Sequence, residues 1–344
     1  MIHDIGAPSP EASAQYIQTV LYKLLPQPCP FNMIRVGGSD DGSYLIPNDL
    51  KCIDSCFSPG VNNVKSFEDE LVERFNIRCH MCDFSSDEAS FSTPLIYGKQ
   101  TFDKLWLDVK DSCNSITLSN WIARYSKDHL KDLILQMDIE GGEYPSLLES
   151  PKDVIKRFRI IVVELHGLCA FKDAQLLSKS VGPLIEKLYQ THICVHAHPN
   201  NCSGQFIDYI SGINIPDVLE VTYLRRDRFL DDRESWIQPM LPHPFDIAFN
   251  VQDQVPLHLN SSWYPQNQFP LYNSEIKIYD DKITWASSFI HHSIGQALSL
   301  AKSRGISYPR RLLLLAYLSI KPAHYLLLLY IDIFLGKTKK KLKK

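Results

Sequence analysis

The sequence predicts an α/β protein built on a doubly wound, mostly parallel sheet. Short apolar runs alternate along the chain with amphipathic stretches, which is typical of parallel strands joined by crossover helices. Apolar residues make up 44% of the 344 residues and the mean hydropathy is -0.15, which excludes a disordered chain and a polytopic membrane protein. This length fits one large domain with an appendage.

Two elements precede the predicted sheet. Residues 13–25 carry apolar side chains at helical spacing and end before Pro26, so they predict a helix. Residues 31–47 predict a hairpin around a turn rich in Asp and Gly at 37–42. We therefore divide the chain into an N-terminal helical segment, a main domain, an irregular segment packed on it and a C-terminal appendage, at residues 1–30, 31–232, 233–275 and 276–344.

The first unit of the sheet has the features of a cofactor site. A strand, a turn, a helix and a second strand are predicted in succession at residues 51–58, 59–63, 66–75 and 77–82. Asp83 ends the second strand, 23 residues after Gly60, close to the ~20-residue spacing at which an acid reaches ribose hydroxyls. The turn lacks the further glycines of a pyrophosphate site. It therefore favours a cofactor that has a ribose but no phosphate, although a strand–turn–helix with an incidental acid is the structural alternative.

The same alternation continues in the second half of the domain. Helices are predicted at residues 118–125, 144–149 and 176–188, and strands at residues 133–137, 158–163, 193–197 and 218–224. Acids or histidines lie at or beyond the carboxyl ends of these strands, the edge at which open parallel sheets bind ligands: Asp83, Asp138, Glu140, Glu164, His166, His196 and His198. Each histidine is equally compatible with a hydrogen-bonded structural role, and Glu140 and Glu143 with stabilisation of a helix N-terminus.

Three motifs resemble those of FkbM-type class I methyltransferases. Residues 135–148 (LQMDIEGGEYPSLL) resemble the family signature K-x-D-x-E-G-x-E-x-x-x-L, with Gln136 where lysine is usual. Residues 35–45 are similar to a hairpin that precedes the domain in some members, and residues 196–201 (HAHPNN) to a closing strand. The resemblance extends over residues 31–232.

The resemblance implies a Rossmann-like fold and S-adenosylmethionine as the cofactor. Gly60, Asn62 and Glu68 would then line the methionine side, Asp83 would hold the ribose hydroxyls, and Asp138 would lie beside the methyl group. The reaction implied is O-methylation of a sugar, glycan or small metabolite. An attacking hydroxyl needs a base, and the candidates are Asp138, His166 and His198.

Two alternatives remain open for this site. Asp138, Glu164 and His166 have the oxygen and imidazole donors that could hold Mg²⁺ or Mn²⁺ and orient a diol, although we do not favour a metal. The protein could also be a non-catalytic scaffold that retains the methyltransferase fold and acts through its C-terminal tail. Cofactor binding distinguishes an enzyme from such a scaffold.

The C-terminal appendage is strongly apolar and then strongly basic. Residues 310–336 contain two apolar runs split by a polar break at 321–324, and six lysines follow within 337–344. Each run is shorter than the ~20 residues of a membrane span. The pattern favours a helical hairpin on an anionic membrane surface, or docked on a protein partner, over a true span.

Charge and the N-terminal sequence indicate partners and location. The formal net charge is -3, with no basic excess that would indicate a nucleic-acid partner. The first residues contain no basic and apolar stretch of the kind that forms a secretory signal. We therefore expect a cytoplasmic protein, peripheral at the membrane if the tail binds lipid.

Overall fold

The computed structural model describes residues 10–208, 212–229, 235–247 and 249–264. Its α-helices are α1 (Pro10–Leu24), α2 (Ser66–Phe75), α3 (Leu118–Tyr125), α4 (Glu143–Glu149), α5 (Lys152–Ile155), α6 (Ala174–Leu177) and α7 (Val181–Tyr189). Its strands are β1 (Met33–Val36), β2 (Tyr44–Pro47), β3 (Ile53–Pro59), β4 (Arg78–Cys82), β5 (Gln100–Asp103), β6 (Trp106–Leu107), β7 (Ser115–Ile116), β8 (Asp132–Met137), β9 (Phe158–Leu165), β10 (His192–Pro199), β11 (Gln205–Ile207), β12 (Asn214–Pro216) and β13 (Leu219–Arg225).

Seven of these strands form one mostly parallel sheet. Their order is β10-β13-β9-β8-β3-β4-β5, and β13 runs antiparallel to both of its neighbours while the other pairs are parallel. The chain leaves β3 toward β4 on one side and later returns to β8 on the other. The predicted mixed α/β fold with a mostly parallel sheet is confirmed, and its arrangement is compatible with a Rossmann-like fold.

Both faces of the sheet are covered. Leu133, Leu135 and Met137 of β8 face a core formed with α1, α3, α4 and α7, whereas Ile134 faces a second core formed with α2 and the β1–β2 hairpin. Alternate residues of a strand point to opposite faces, so burial on both sides requires a nearly continuous apolar run. This explains the long apolar strands of the sequence.

Several polar residues of the sheet share the face covered by the hairpin. Glu164 is in register with Glu220 of β13, and Glu220 is in register with His198 of β10. The Thr222 hydroxyl donates to the carbonyl oxygen of Leu45 in β2, at 2.7 Å, which attaches the hairpin over this face. The carboxylates of neighbouring strands therefore form a row beneath the hairpin.

Three predicted elements differ in the structure. The helix expected at residues 176–188 consists of α6 and α7 separated by a turn, because Asp173 caps a short first helix and the chain restarts at Val181. Strand β9 continues to Leu165, so Glu164 lies within the strand and not beyond its end; His196 and His198 likewise lie within β10.

The C-terminal part of the chain is described to residue 264. Between residues 235 and 264, the described positions include a short 3₁₀-helix (Ser261–Trp263) and a bridge from Ile237 to Cys29. The predicted appendage at 276–344 lies outside the described residues. In the part of the chain that the structure describes, no helix has the length and apolarity needed to cross a membrane.

Candidate functional site at the carboxyl edge of the sheet

Strand β3 lies between β4 and β8, at the point where the direction of the strand order reverses. Gly60 follows β3 with φ +84°, and its N–H donates to the carbonyl oxygen of Cys82 at 3.0 Å. A Cβ at Gly60 would lie 1.7 Å from the carbonyl oxygen of Asp138. Glycine is thus required here by the close approach of two strand ends. Its predicted contact with the cofactor stays a prediction.

Asp83 lies against the turn that follows Gly60. One carboxylate oxygen accepts the N–H of Asn62 at 3.1 Å and the hydroxyl of Ser86 at 2.8 Å. The other accepts the N–H and the hydroxyl of Ser85, at 2.8 and 2.6 Å. Burial acts to raise the pKa of Asp83, but these hydrogen bonds outweigh it and hold the pKa below its usual range. The carboxylate is therefore charged and held beside the turn.

Glu68 lies in a buried polar network instead of an open cleft. It is 2% exposed and bonds to the Ser58 hydroxyl, which also bonds to the Gln136 side chain. The Gln136 amide donates to the Tyr44 hydroxyl at 3.1 Å. Burial raises the pKa of Glu68 to about 7. Gln136, the departure from the family signature, thus sits beside a carboxyl group that a lysine would neutralise.

A second group of side chains surrounds the imidazole of His166. Its Nε2 atom lies 3.8 Å from Asp138, 3.4 Å from Glu140 and 3.6 Å from Glu164, in each case measured to a carboxylate oxygen. Burial raises the pKa of Asp138 to about 6, the charge of His166 lowers it, and that of Glu140 raises it. The structure therefore brings together Asp138, Glu164 and His166, as the sequence predicted.

Glu143 fixes the orientation of His166. Its fully buried carboxylate accepts the His166 N–H and contacts the ring Nδ1, both at 3.1 Å, and also accepts the Gly141 N–H at 2.8 Å. Burial acts to lower the pKa of His166, but the hydrogen bond and charge of Glu143 outweigh it, so the pKa is raised. Glu143 therefore does more than stabilise a helix N-terminus: it holds the His166 ring so that Nε2 points at the carboxylates of Asp138, Glu140 and Glu164.

Glu164 and Glu220 continue the acidic row under the hairpin. Burial, followed by the charges of Asp138 and Glu220, raises the pKa of Glu164 to about 10, and the Asn200 amide donates to it at 3.0 Å. Burial also raises the pKa of Glu220 to about 7, which His198 opposes. At neutral pH Glu164 therefore keeps its proton, and Glu220 is close to its pKa.

His198 lies against a segment that the sequence predicts as irregular. Asp246 accepts from His196 Nε2 at 3.0 Å and from the N–H of His243 at 2.6 Å, and it lies 3.7 Å from His198 Nδ1. Burial acts to lower the pKa of His198, but its interaction with Asp246 and the charge of Glu220 outweigh burial and raise the pKa. His198 is 8% exposed, which makes it less accessible than His166.

Sequence reasoning missed several residues of this region. Asn250 donates to Asp41 of the hairpin turn at 2.9 Å and to Glu220 at 2.6 Å, and Arg35 donates to the carbonyl oxygen of Phe245 at 3.0 Å. Glu220 could have been identified as a candidate from the sequence, because it is a charged residue within an otherwise apolar strand. The other contacts join distant parts of the chain and have no local pattern.

The structure is that of an α/β protein with buried and half-buried polar side chains at the carboxyl edge of its mostly parallel sheet, an arrangement compatible with a Rossmann-like methyltransferase. Residues 47–190 match the family model of the methyltransferase FkbM domain, which confirms the resemblance over that segment. The matched segment includes Asp83, Asp138 and His166, whereas His198 lies beyond it. No curated protein matches the chain.

Proposed function

We propose that the protein transfers the methyl group of S-adenosylmethionine to an oxygen atom of a sugar, a glycan or a small metabolite. One observation carries this proposal. Asp83 is held charged against the turn after Gly60, at the sheet edge where such folds bind ligands, and the family match covers the same residues. The family match supports methyl transfer, and the polar side chains at the sheet edge favour a hydroxyl-bearing acceptor.

In this proposal the cofactor occupies the edge near β3, β4 and β8. The ribose hydroxyls bond to Asp83 in place of the Ser85 and Ser86 hydroxyls. The rings of Phe84 and Trp106, with centroids 5.5 Å apart, offer an apolar surface for adenine, and Trp106 is 48% exposed. Asn62 and Asp138 lie toward the methionine part.

The chemistry is an in-line displacement. The acceptor oxygen attacks the methyl carbon, the bond from that carbon to sulfur breaks, and the electron pair stays on sulfur, which becomes a thioether. The hydroxyl proton passes to a base. His166 and Asp138 are the candidates that face the same space, and Glu143 acts as a positioning residue for His166.

The test is to incubate the protein with S-adenosylmethionine carrying an isotopically labelled methyl group and to offer it neutral sugars, glycans and small metabolite fractions. We expect labelled product and an equal amount of S-adenosylhomocysteine, both read by mass spectrometry. Product labelled on nitrogen or carbon would contradict O-methylation.

A non-catalytic scaffold is the second candidate. One observation favours it: the lone-pair positions of Asp83 are already filled by four local donors, so the cofactor must displace two serine hydroxyls. Cofactor binding without transfer to any acceptor fraction would support the scaffold.

A further inference from the structure

In the described part of the chain, the carboxylates around His166 have no lysine or arginine to balance them. Asp138, Glu140, Glu143 and Glu164 all have an oxygen within 4 Å of this one imidazole. Among the described residues, none of the four forms an ion pair with a lysine or an arginine; His166 is their partner in each case. Carboxylates placed this close repel one another unless a cation or protons neutralise them.

The ligand atoms are spaced as a small cation requires. One oxygen of Asp138, one oxygen of Glu140 and His166 Nε2 all lie within 4.8 Å of one another. Atoms bound at ~2.1 Å to one divalent ion lie roughly 3–4 Å apart. The distances of 3.8 and 3.4 Å from Nε2 to the two carboxylates fall in this range.

Two further observations favour a metal ion at this position. Glu143 contacts His166 Nδ1. In metal sites, a carboxylate in this position accepts the Nδ1 proton of the histidine and so leaves the Nε2 lone pair free for the metal. In addition, Asp138 Oδ1, the oxygen that faces His166, is buried and accepts no hydrogen bond. A buried carboxylate oxygen without a partner is costly, and a bound cation would satisfy it.

We propose that Asp138, Glu140 and His166 bind one divalent cation of the Mg²⁺ or Mn²⁺ class, with Glu164 as a neighbouring carboxyl. Two carboxylates and one imidazole suit such ions, and three protein ligands leave positions open. The role of the ion rests on the proposed function: it would bind the acceptor hydroxyl and lower the pKa of that hydroxyl. His166 would then be a ligand and not the base, and the hydroxyl proton would pass to water.

The experiment titrates Mn²⁺ into the full-length, chelator-treated protein and follows free Mn²⁺ by electron paramagnetic resonance. We expect one bound Mn²⁺ per chain, displaced by excess Mg²⁺. Glu140→Gln should weaken binding at least about tenfold, as the loss of a ligand charge implies. The Glu140 side chain is 85% exposed, so this substitution leaves the fold intact.

Glu149→Gln is the matched control, because Glu149 is an exposed acid of α4 outside the cluster. The inference is overturned if wild-type protein binds no Mn²⁺ at millimolar concentration, which would leave a protonated His166 as the cation. It is also overturned if the two variants bind Mn²⁺ equally.

Calorimetry with S-adenosylmethionine on the metal-free protein separates this inference from the proposed function. Cofactor binding without Mn²⁺ binding rejects the metal site alone. Mn²⁺ binding that Glu140→Gln weakens, without cofactor binding, supports the metal site and rejects the proposed function alone.

Discussion

Gln136, which stands where the family signature usually has lysine, lies in one buried network with Glu68. The Glu68 carboxyl group, the Ser58 hydroxyl, the Gln136 amide and the Tyr44 hydroxyl form one chain of hydrogen bonds. If Glu68 is protonated, its O–H can donate to the Ser58 hydroxyl. The Ser58 hydroxyl then donates to the side-chain oxygen of Gln136, and the Gln136 amide donates to the Tyr44 hydroxyl. This agrees with a pKa that burial raises to about 7.

The first prediction concerns the pH dependence of stability. Since the folded state holds its proton on Glu68 up to about pH 7 and the unfolded chain loses it near 4.5, the free energy of unfolding falls as pH rises between these values. Glu68→Gln should remove this loss, about 3 kcal/mol at pH 8. Chemical denaturation at pH 5 and pH 8 measures it.

Glu73→Gln is the control, because Glu73 is an exposed acid of the same helix. A second variant, Gln136→Lys, restores the residue usual in the family and should lower the pKa of Glu68, which also flattens the profile. If wild type and Glu68→Gln respond to pH in parallel, the buried carboxyl is not the cause.

The approach of β3 to β8 depends on the absence of a side chain at Gly60. We expect Gly60→Ala to lower the free energy of unfolding by several kcal/mol, because its Cβ would meet the Asp138 carbonyl oxygen. Gly98→Ala shares the positive φ but meets nothing within 4 Å, so it should cost only about 1–2 kcal/mol. Equal losses in urea denaturation would show that the strand ends do not need this contact.

The segment around Asp246 is attached to the sheet mainly through polar contacts. Asp246 bonds to His196 and to the His243 N–H, and Asn201 accepts the N–H of Val251 at 2.8 Å. Asp246→Ala should speed amide hydrogen exchange in residues 243–251 at least about tenfold, because hydrogen bonds to a charged group are lost. Asp253→Ala, an exposed acid of the same segment, should leave exchange unchanged. Unchanged exchange in Asp246→Ala would rule out this attachment.

Local patterns predicted most elements but not how they combine. The helix at 118–125 and the strands that became β3, β4 and β8 follow from apolar spacing, which is a local property. The sequence of β13 does not reveal that this strand runs antiparallel, because both of its faces are buried whichever direction it takes. Likewise, Asp246 and His196 are 50 positions apart in the sequence, so no local sequence pattern predicts their contact.

At the scale of the whole molecule, the site residues predicted at the strand ends form two neighbouring groups of side chains. Asp83 with the turn near Asn62 forms one group, and Asp138, Glu164 and His166 form the other. The carboxyl ends of parallel strands meet at one edge, so the sequence could indicate both groups. It could not show that Glu68 is buried in a hydrogen-bonded network with Ser58, since a helix residue can face either side.

A further prediction concerns residues 310–344, which we propose to bind anionic membrane surfaces through their apolar runs and lysines. Deletion of 310–344 should abolish sedimentation with anionic liposomes at moderate salt and leave cofactor binding unchanged. Neutral liposomes provide the control. Equal sedimentation of the full chain and the deletion variant would count against this role.

The central claim is that the edge beside Asp83 binds S-adenosylmethionine, and calorimetric titration of the full-length protein tests it directly. We expect saturable binding of one cofactor per chain. Asp83→Asn should weaken it by about 1.5–3 kcal/mol, whereas Asp87→Asn, an exposed acid in the same loop, should not. A folded wild-type protein that binds neither S-adenosylmethionine nor S-adenosylhomocysteine would contradict the claim.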